Sequence, residues 1–178
     1  MKRKIGIYVG LLSIGIALIS NYTASAALSI SKVYDGDTIT LSTGERVRLL
    51  QIDTPEISPR ECYGDQARAA LVRLLKTPGE LSLKTDAKLD TKDRYGRLLR
   101  YVFIGQTNIN LRLVEIGAAV PYFYKGAKGH YSSHILEAAH AAKSKSLGLW
   151  KSCPRIKMAS RSDVYKPNSD NHRLGYDS

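Results

Sequence analysis

Between Leu28 and Ile104 the chain is cut into short apolar-rich stretches by turn signals, and this punctuation limits the fold more than any other feature. "LSISKVY" carries Ile30 and Val33 and runs into Asp35-Gly36-Asp37-Thr38, where Asp-Gly is a strong turn dipeptide. "TITLSTGERVRLLQI" predicts two strands around the turn Ser42-Thr43-Gly44. "ELSLKT" is a further strand. So is "LLRYVFI", with Tyr101 and Phe103 on one face and Leu99, Val102 and Ile104 supplying the other apolar positions. About five such strands with helical patterns interleaved late predict an α+β domain. A small sheet coiled into a closed barrel with helices at one end fits, and pattern alone does not separate that barrel from a flat sheet.

Three stretches have helical spacing. "YGDQARAALVRLLK" aligns Ala67, Ala70, Leu71, Leu74 and Leu75 on one side, and Thr77-Pro78-Gly79 stops it. "NINLRLVEIG" predicts a short helix ended by Gly117. "HYSSHILEAAHAAKSKSLGLW" predicts one long helix with Ile135, Ala138, Ala139 and Ala142 as its apolar face. "AAVPYFYKGAKG" between them is extended and aromatic. Residues 155–178 are polar with few large apolar side chains, the composition of a disordered tail.

The first 26 residues differ from the rest. "MKRK" precedes an uncharged run from Ile5 to Ile19, and small residues follow up to Ala24-Ser25-Ala26. This is the layout of a secretory signal peptide, with cleavage expected after Ala26 and the folded domain at 27–154. The run is short for a spanning helix, which needs about 20 residues. An uncleaved anchor on a basic surface adhesin is the rival. An N-terminus at Ala27 on the exported protein would exclude it. The chain carries a net charge of +11, and losing Lys2, Arg3 and Lys4 with the signal leaves a basic chain. That balance suits a polyanion such as nucleic acid, or an anionic surface. Export also places Cys62 and Cys153 in an oxidising compartment, so the pair is expected as a disulfide. Two cysteines without CxxC spacing do not make a zinc site.

Within this basic chain the stretch "RLLQIDTPEI" sets Asp53 and Glu56 close to Arg48. Taken alone, "DGDT" is an ordinary turn and "DTPE" an ordinary loop. Taken together, Asp37, Asp53 and Glu56 are a set of hard oxygen donors. Calcium accepts such donors, completed by backbone carbonyls and water. Arg48 stands beside Leu49 and Leu50, so its charge needs a partner. Arg97 ends the turn "DRYGR". Arginine forks match phosphate oxygens. Two arginines, a cation and a spare carboxylate make a coherent phosphodiester-cleaving set. His130 and His134 are four apart but lack a third ligand and an intervening HExxH glutamate, so a solvated helix face is expected.

These motifs resemble the staphylococcal nuclease (thermonuclease) family. "VYDGDTITL", "VRLLQIDTPE", "DRYGRLLRYV", "AVPYFYKG" and "LGLW" occur in the family's order across residues 28–152. The resemblance implies an OB-fold, a five-stranded β-barrel with three α-helices. It implies Ca2+ held by the carboxylates of Asp37 and Asp53 and by the Thr54 carbonyl. Glu56 would act on the attacking water, and Arg48 and Arg97 on the scissile phosphate. Tyr122 and Tyr124 would sit at the nucleotide pocket, and Arg94 would add a backbone contact. The implied reaction is calcium-dependent hydrolysis of DNA and RNA at the 5′ P–O bond, leaving 3′-phosphate ends, by a monomer. Two departures stand out: the loop "ISPRECYGDQA" is short, and the expected Cys62–Cys153 bridge would tie the start of the first helix to the end of the last. The competing reading is a nucleic-acid-binding OB-fold protein without catalysis.

Overall fold

The computed structural model describes residues 28–153. The expected signal segment 1–26 and tail 155–178 lie outside the described residues. The elements are β1 (Ile30–Val33), β2 (Thr38–Leu41), β3 (Arg46–Leu49), β4 (Ile52–Asp53), α1 (Gly64–Leu74), β5 (Leu81–Lys84), β6 (Leu98–Ile104), β7 (Thr107–Asn108), α2 (Ile109–Glu115), β8 (Val120–Pro121), α3 (Ser132–Ser144) and α4 (Leu149–Ser152). The main sheet runs β1-β2-β3-β6-β5, with β7 added to β6, while β4 and β8 form a separate pair. All pairings in the main sheet are antiparallel except β3 with β6. The result is an α+β, OB-type five-strand path with helices packed on it.

Strand β3 shows how sequence becomes site. Val47 and Leu49 are buried, while Arg46 and Arg48 alternate onto the opposite face. Val47 and Leu49 join Ile39, Val102, Leu113 and Ile135 in one core. Each such side chain contributes roughly 1.5–3 kcal/mol on burial. The same alternation therefore anchors the strand and presents two arginines in a row. In β1 the half-buried positions Ile30 and Val33 are three apart, a spacing a regular strand would split between faces. A register irregularity between Ile30 and Lys32 absorbs the extra residue.

The helix count departs from the expected three. The C-terminal pattern is not one helix but α3 and the single turn α4. Ser146 and Gly148 have φ of 49° and 55°, which breaks the ladder. A Cβ on Gly148 would fall 2.2 Å from the Gly117 carbonyl oxygen, and Leu149 N donates to that oxygen at 2.8 Å. The close backbone approach, which only glycine permits, turns the chain. Cys62 and Cys153 are bridged, as expected, with Cα atoms 5.9 Å apart. The bridge joins Cys62, two residues before α1, to Cys153, the residue that follows α4.

Candidate active site

The 35–38 turn and the 52–56 loop meet because Gly36 lets them. A Cβ there would lie 2.7 Å from Thr54 Oγ1 and 2.9 Å from the Ala67 methyl. With that space free, Thr54 N and Oγ1 both donate to Asp37 Oδ2, at 2.9 and 3.0 Å. Asp35 Oδ1 accepts from Asp37 N at 3.0 Å and shapes the turn. A role for Asp35 is what the sequence reading missed; the Asx-turn signature of "DGD" is the signal that points to it.

Arg48 joins the two segments. Its Nε lies 3.1 Å from Asp37 Oδ1 and its Nη2 2.6 Å from Asp53 Oδ1. Its Nη1 donates to the Leu49 and Ile52 carbonyls. The partner expected for a half-buried Arg48 is thus two carboxylates. Asp37 and Asp53 are 4% and 8% exposed. Burial pushes both carboxyls up, and Arg48 pulls both down without cancelling the rise; Asp35 adds to the rise at Asp37, and Asp37 to the rise at Asp53. With both ionised, the pair carries more negative charge than one guanidinium neutralises. A hard oxygen donor set with excess negative charge fits a divalent cation. Among the described residues no three His, Cys, Asp or Glu side chains form a metal cage, so such a cation would need carbonyl and water oxygens as well.

Arg97 comes from the turn after Asp93. Its Nε donates to Asp93 Oδ2 at 2.6 Å and its amide to Oδ1 at 3.0 Å. The spacing "DRYGR" thus carries its own brace, a second contribution the sequence reading passed over. Glu56 is half-buried. Burial raises its carboxyl first, Asp35 and Glu61 add to that, and Arg48 and Arg97 oppose it. Both arginines therefore act electrostatically on this carboxylate. The backbone of Glu56 is fixed by Glu61 Oε2, which accepts its N–H at 2.9 Å.

These groups share one cleft of about 530 Å³. Asp37, Asp53, Glu56, Arg48 and Arg97 line it, as do Tyr122, Tyr124 and Arg94. The Thr54 amide and hydroxyl support Asp37, one of the lining residues. Tyr122 is half-buried and Tyr124 is 42% exposed. Their segment is tied to the β3–β4 connection by Gln51, a buried residue with φ of 62°. Gln51 O accepts from Tyr122 N at 2.9 Å. Gln51 Nε2 donates to Ala127 O, and Oε1 accepts from the Tyr101 and Ser132 hydroxyls. His130 and His134 flank the Tyr131 ring, and the His130 amide donates to Asp86 Oδ2.

A family model described as "Staphylococcal nuclease homologue" matches residues 46–152. The chain is 34% identical over 129 residues to the thermonuclease of Staphylococcus intermedius, covering 68% of this chain and 74% of that one. It is 34% identical over 131 residues to the SPbeta prophage-derived endonuclease YokF of Bacillus subtilis, covering 69% of this chain and 43% of that one. An uncharacterized endonuclease of Haemophilus influenzae is also 34% identical, over 127 residues, 68% of this chain and 64% of that one. With the family match spanning most of the described residues and the OB-type sheet beneath it, the chain belongs to the staphylococcal nuclease family.

Proposed function

We propose that this nuclease hydrolyses phosphodiester bonds of DNA and RNA in a calcium-dependent reaction, cutting the 5′ P–O bond and leaving 3′-phosphate ends. What supports the reading is a single arrangement: two arginines, a buried acid pair and a raised carboxylate in one cleft. Arg48 and Arg97 grip the phosphate oxygens and hold the charge that builds in the five-coordinate transition state. Glu56, its carboxyl raised by burial, orients the attacking water or takes its proton. Tyr122 and Tyr124 offer rings to the bases, and Arg94 a contact to the backbone. Asp37 and Asp53, with the Thr54 carbonyl, would hold Ca2+. When bound, the ion supplies Lewis-acid polarisation of the phosphoryl oxygen. The protein acts as a monomer, secreted or periplasmic after signal cleavage.

Digestion of plasmid and RNA in calcium, with and without chelator, tests this directly. Cleavage that chelator abolishes is expected. Binding without cleavage in calcium would favour the non-catalytic reading. Glu56→Ala and Arg97→Ala should each lower turnover by orders of magnitude, since one preorganised charged group is worth about 3–4 kcal/mol in such a site.

A further inference from the structure

Three cations lining the cleft, Arg46, Lys92 and Lys125, have no part in the chemistry above, and the first two come from neighbouring strands of the main sheet or the turn beside it. Arg46 stands two residues before Arg48 on β3, on the same face, so their Cα atoms are roughly 7 Å apart. That is the scale of one nucleotide step along a strand. Lys92 reaches the same place from another segment. Val47 pairs with Leu98, and Leu98 forms a bridge with Lys92, so Lys92 stands across Leu98 from Val47, the chain neighbour of Arg46. Both are exposed and both line the cleft.

Their electrostatic setting differs from that of the arginines beside them. Arg48 is held by Asp37 and Asp53, and Arg97 by Asp93. Arg46 and Lys92 form no ion pair among the described residues, although the exposed Asp90 shares their wall. A cation that is not spent on the fold can release counterions when a phosphate arrives. In the β2–β3 register Arg48 pairs with Thr38 and Arg46 with Thr40, so Arg46 lies on the far side of Arg48 from Asp37.

We propose that Arg46 and Lys92 form a subsite for the phosphate next to the scissile one on a single strand of nucleic acid. The proposal rests on the nuclease reading and names how that site takes a polymer. A cleft of this volume takes a nucleotide or two of one strand at a time. The subsite makes the protein favour a chain over a dinucleotide without a terminal phosphate, because the single phosphate of such a dinucleotide is the scissile one.

The test compares Arg46→Gln, Lys92→Gln and the double variant with the parent. Binding of a fluorescent oligothymidylate is followed by anisotropy in chelator across a salt series, and cleavage of the oligomer and of a dinucleotide is followed in calcium. Each substitution should flatten the plot of log affinity against log salt by about 0.7, the single-strand value per phosphate contact. KM for the oligomer should rise, with its kcat and all dinucleotide kinetics unchanged. An unchanged salt slope in the double variant, or an equal loss on the dinucleotide, would overturn the subsite. If the parent cleaves neither substrate the nuclease reading fails, and the anisotropy series alone then decides the subsite.

Discussion

Replacing Gln51 separates two effects that the structure superimposes at one residue. Its side chain makes three hydrogen bonds, yet they are not equally exposed to loss. The Tyr101 hydroxyl has a second acceptor in Asp86 Oδ2 at 3.3 Å, and the Ser132 hydroxyl has one in Gly129 O at 2.9 Å. Only the bond from Nε2 to Ala127 O has no protein substitute, worth about 1 kcal/mol. Truncation to alanine also removes a buried methylene, about 0.8 kcal/mol. Gln51→Ala should therefore cost about 2 kcal/mol, with water filling the polar gap. The backbone adds the second effect. With φ at 62° any Cβ is strained by roughly 1–2 kcal/mol. At an ordinary φ, glycine would be weaker than alanine by about 0.4–1 kcal/mol through unfolded-state entropy. Here strain relief outweighs that term, so Gln51→Gly should be the more stable of the two. Urea denaturation followed by Trp150 fluorescence measures both. A glycine variant weaker than the alanine one, or an alanine variant within about 0.5 kcal/mol of the parent, would refute the reasoning.

Asp93→Asn should lower kcat/KM by about tenfold or more in steady-state assays, because a charge-assisted bond of about 1.5–3 kcal/mol orients Arg97. Asp86 is buried, which raises its carboxyl, but bonds from the His130 and Lys88 amides and the Tyr101 hydroxyl outweigh this and hold it below the ordinary 3.8. Its stabilisation is therefore complete above that value and is lost as pH falls through the lower folded one. Acid titration of Asp86→Asn, followed by circular dichroism, should show a shallower loss of stability below about pH 4 than the parent. Reducing the Cys62–Cys153 bridge, or replacing either cysteine by serine, should lower unfolding stability by on the order of 4 kcal/mol for a loop of this length, read from urea midpoints with and without reductant.

What could be read from the sequence follows from how local each signal is. The strands around Ser42–Gly44 and over 98–104 carry their own period and turn residues, and they are where the pattern places them. Two-residue strands such as β4 and β8 span a single period, so no alternation announces them; they exist because Asp53 and Val120 are brought together by the rest of the fold. The α3–α4 break fails for a related reason. Gly148 is required by its approach to Gly117, a contact between residues 31 apart in the chain. In the site, "RLLQIDTPE" announces its acids and its arginine, whereas the supports do not announce themselves. Thr54 as a donor to Asp37, Asp93 as the brace for Arg97, and Gln51 as the tie to Tyr122 depend on which atoms meet across segments.

The clasp between Cys62 and Cys153 has a topological result. It closes a covalent ring through α1, the β5–β6 sheet half, α2 and α3, leaving only β1 to β4 outside. The exposed connections where a protease would cut, around Lys92–Gly96 and Lys125–Lys128, both lie inside this ring. A single nick in either opens the ring into a longer line but frees no fragment. Arg97 and the tyrosines stay tethered to the strand bearing Arg48, because the two pieces of a nicked molecule remain joined through the bridge.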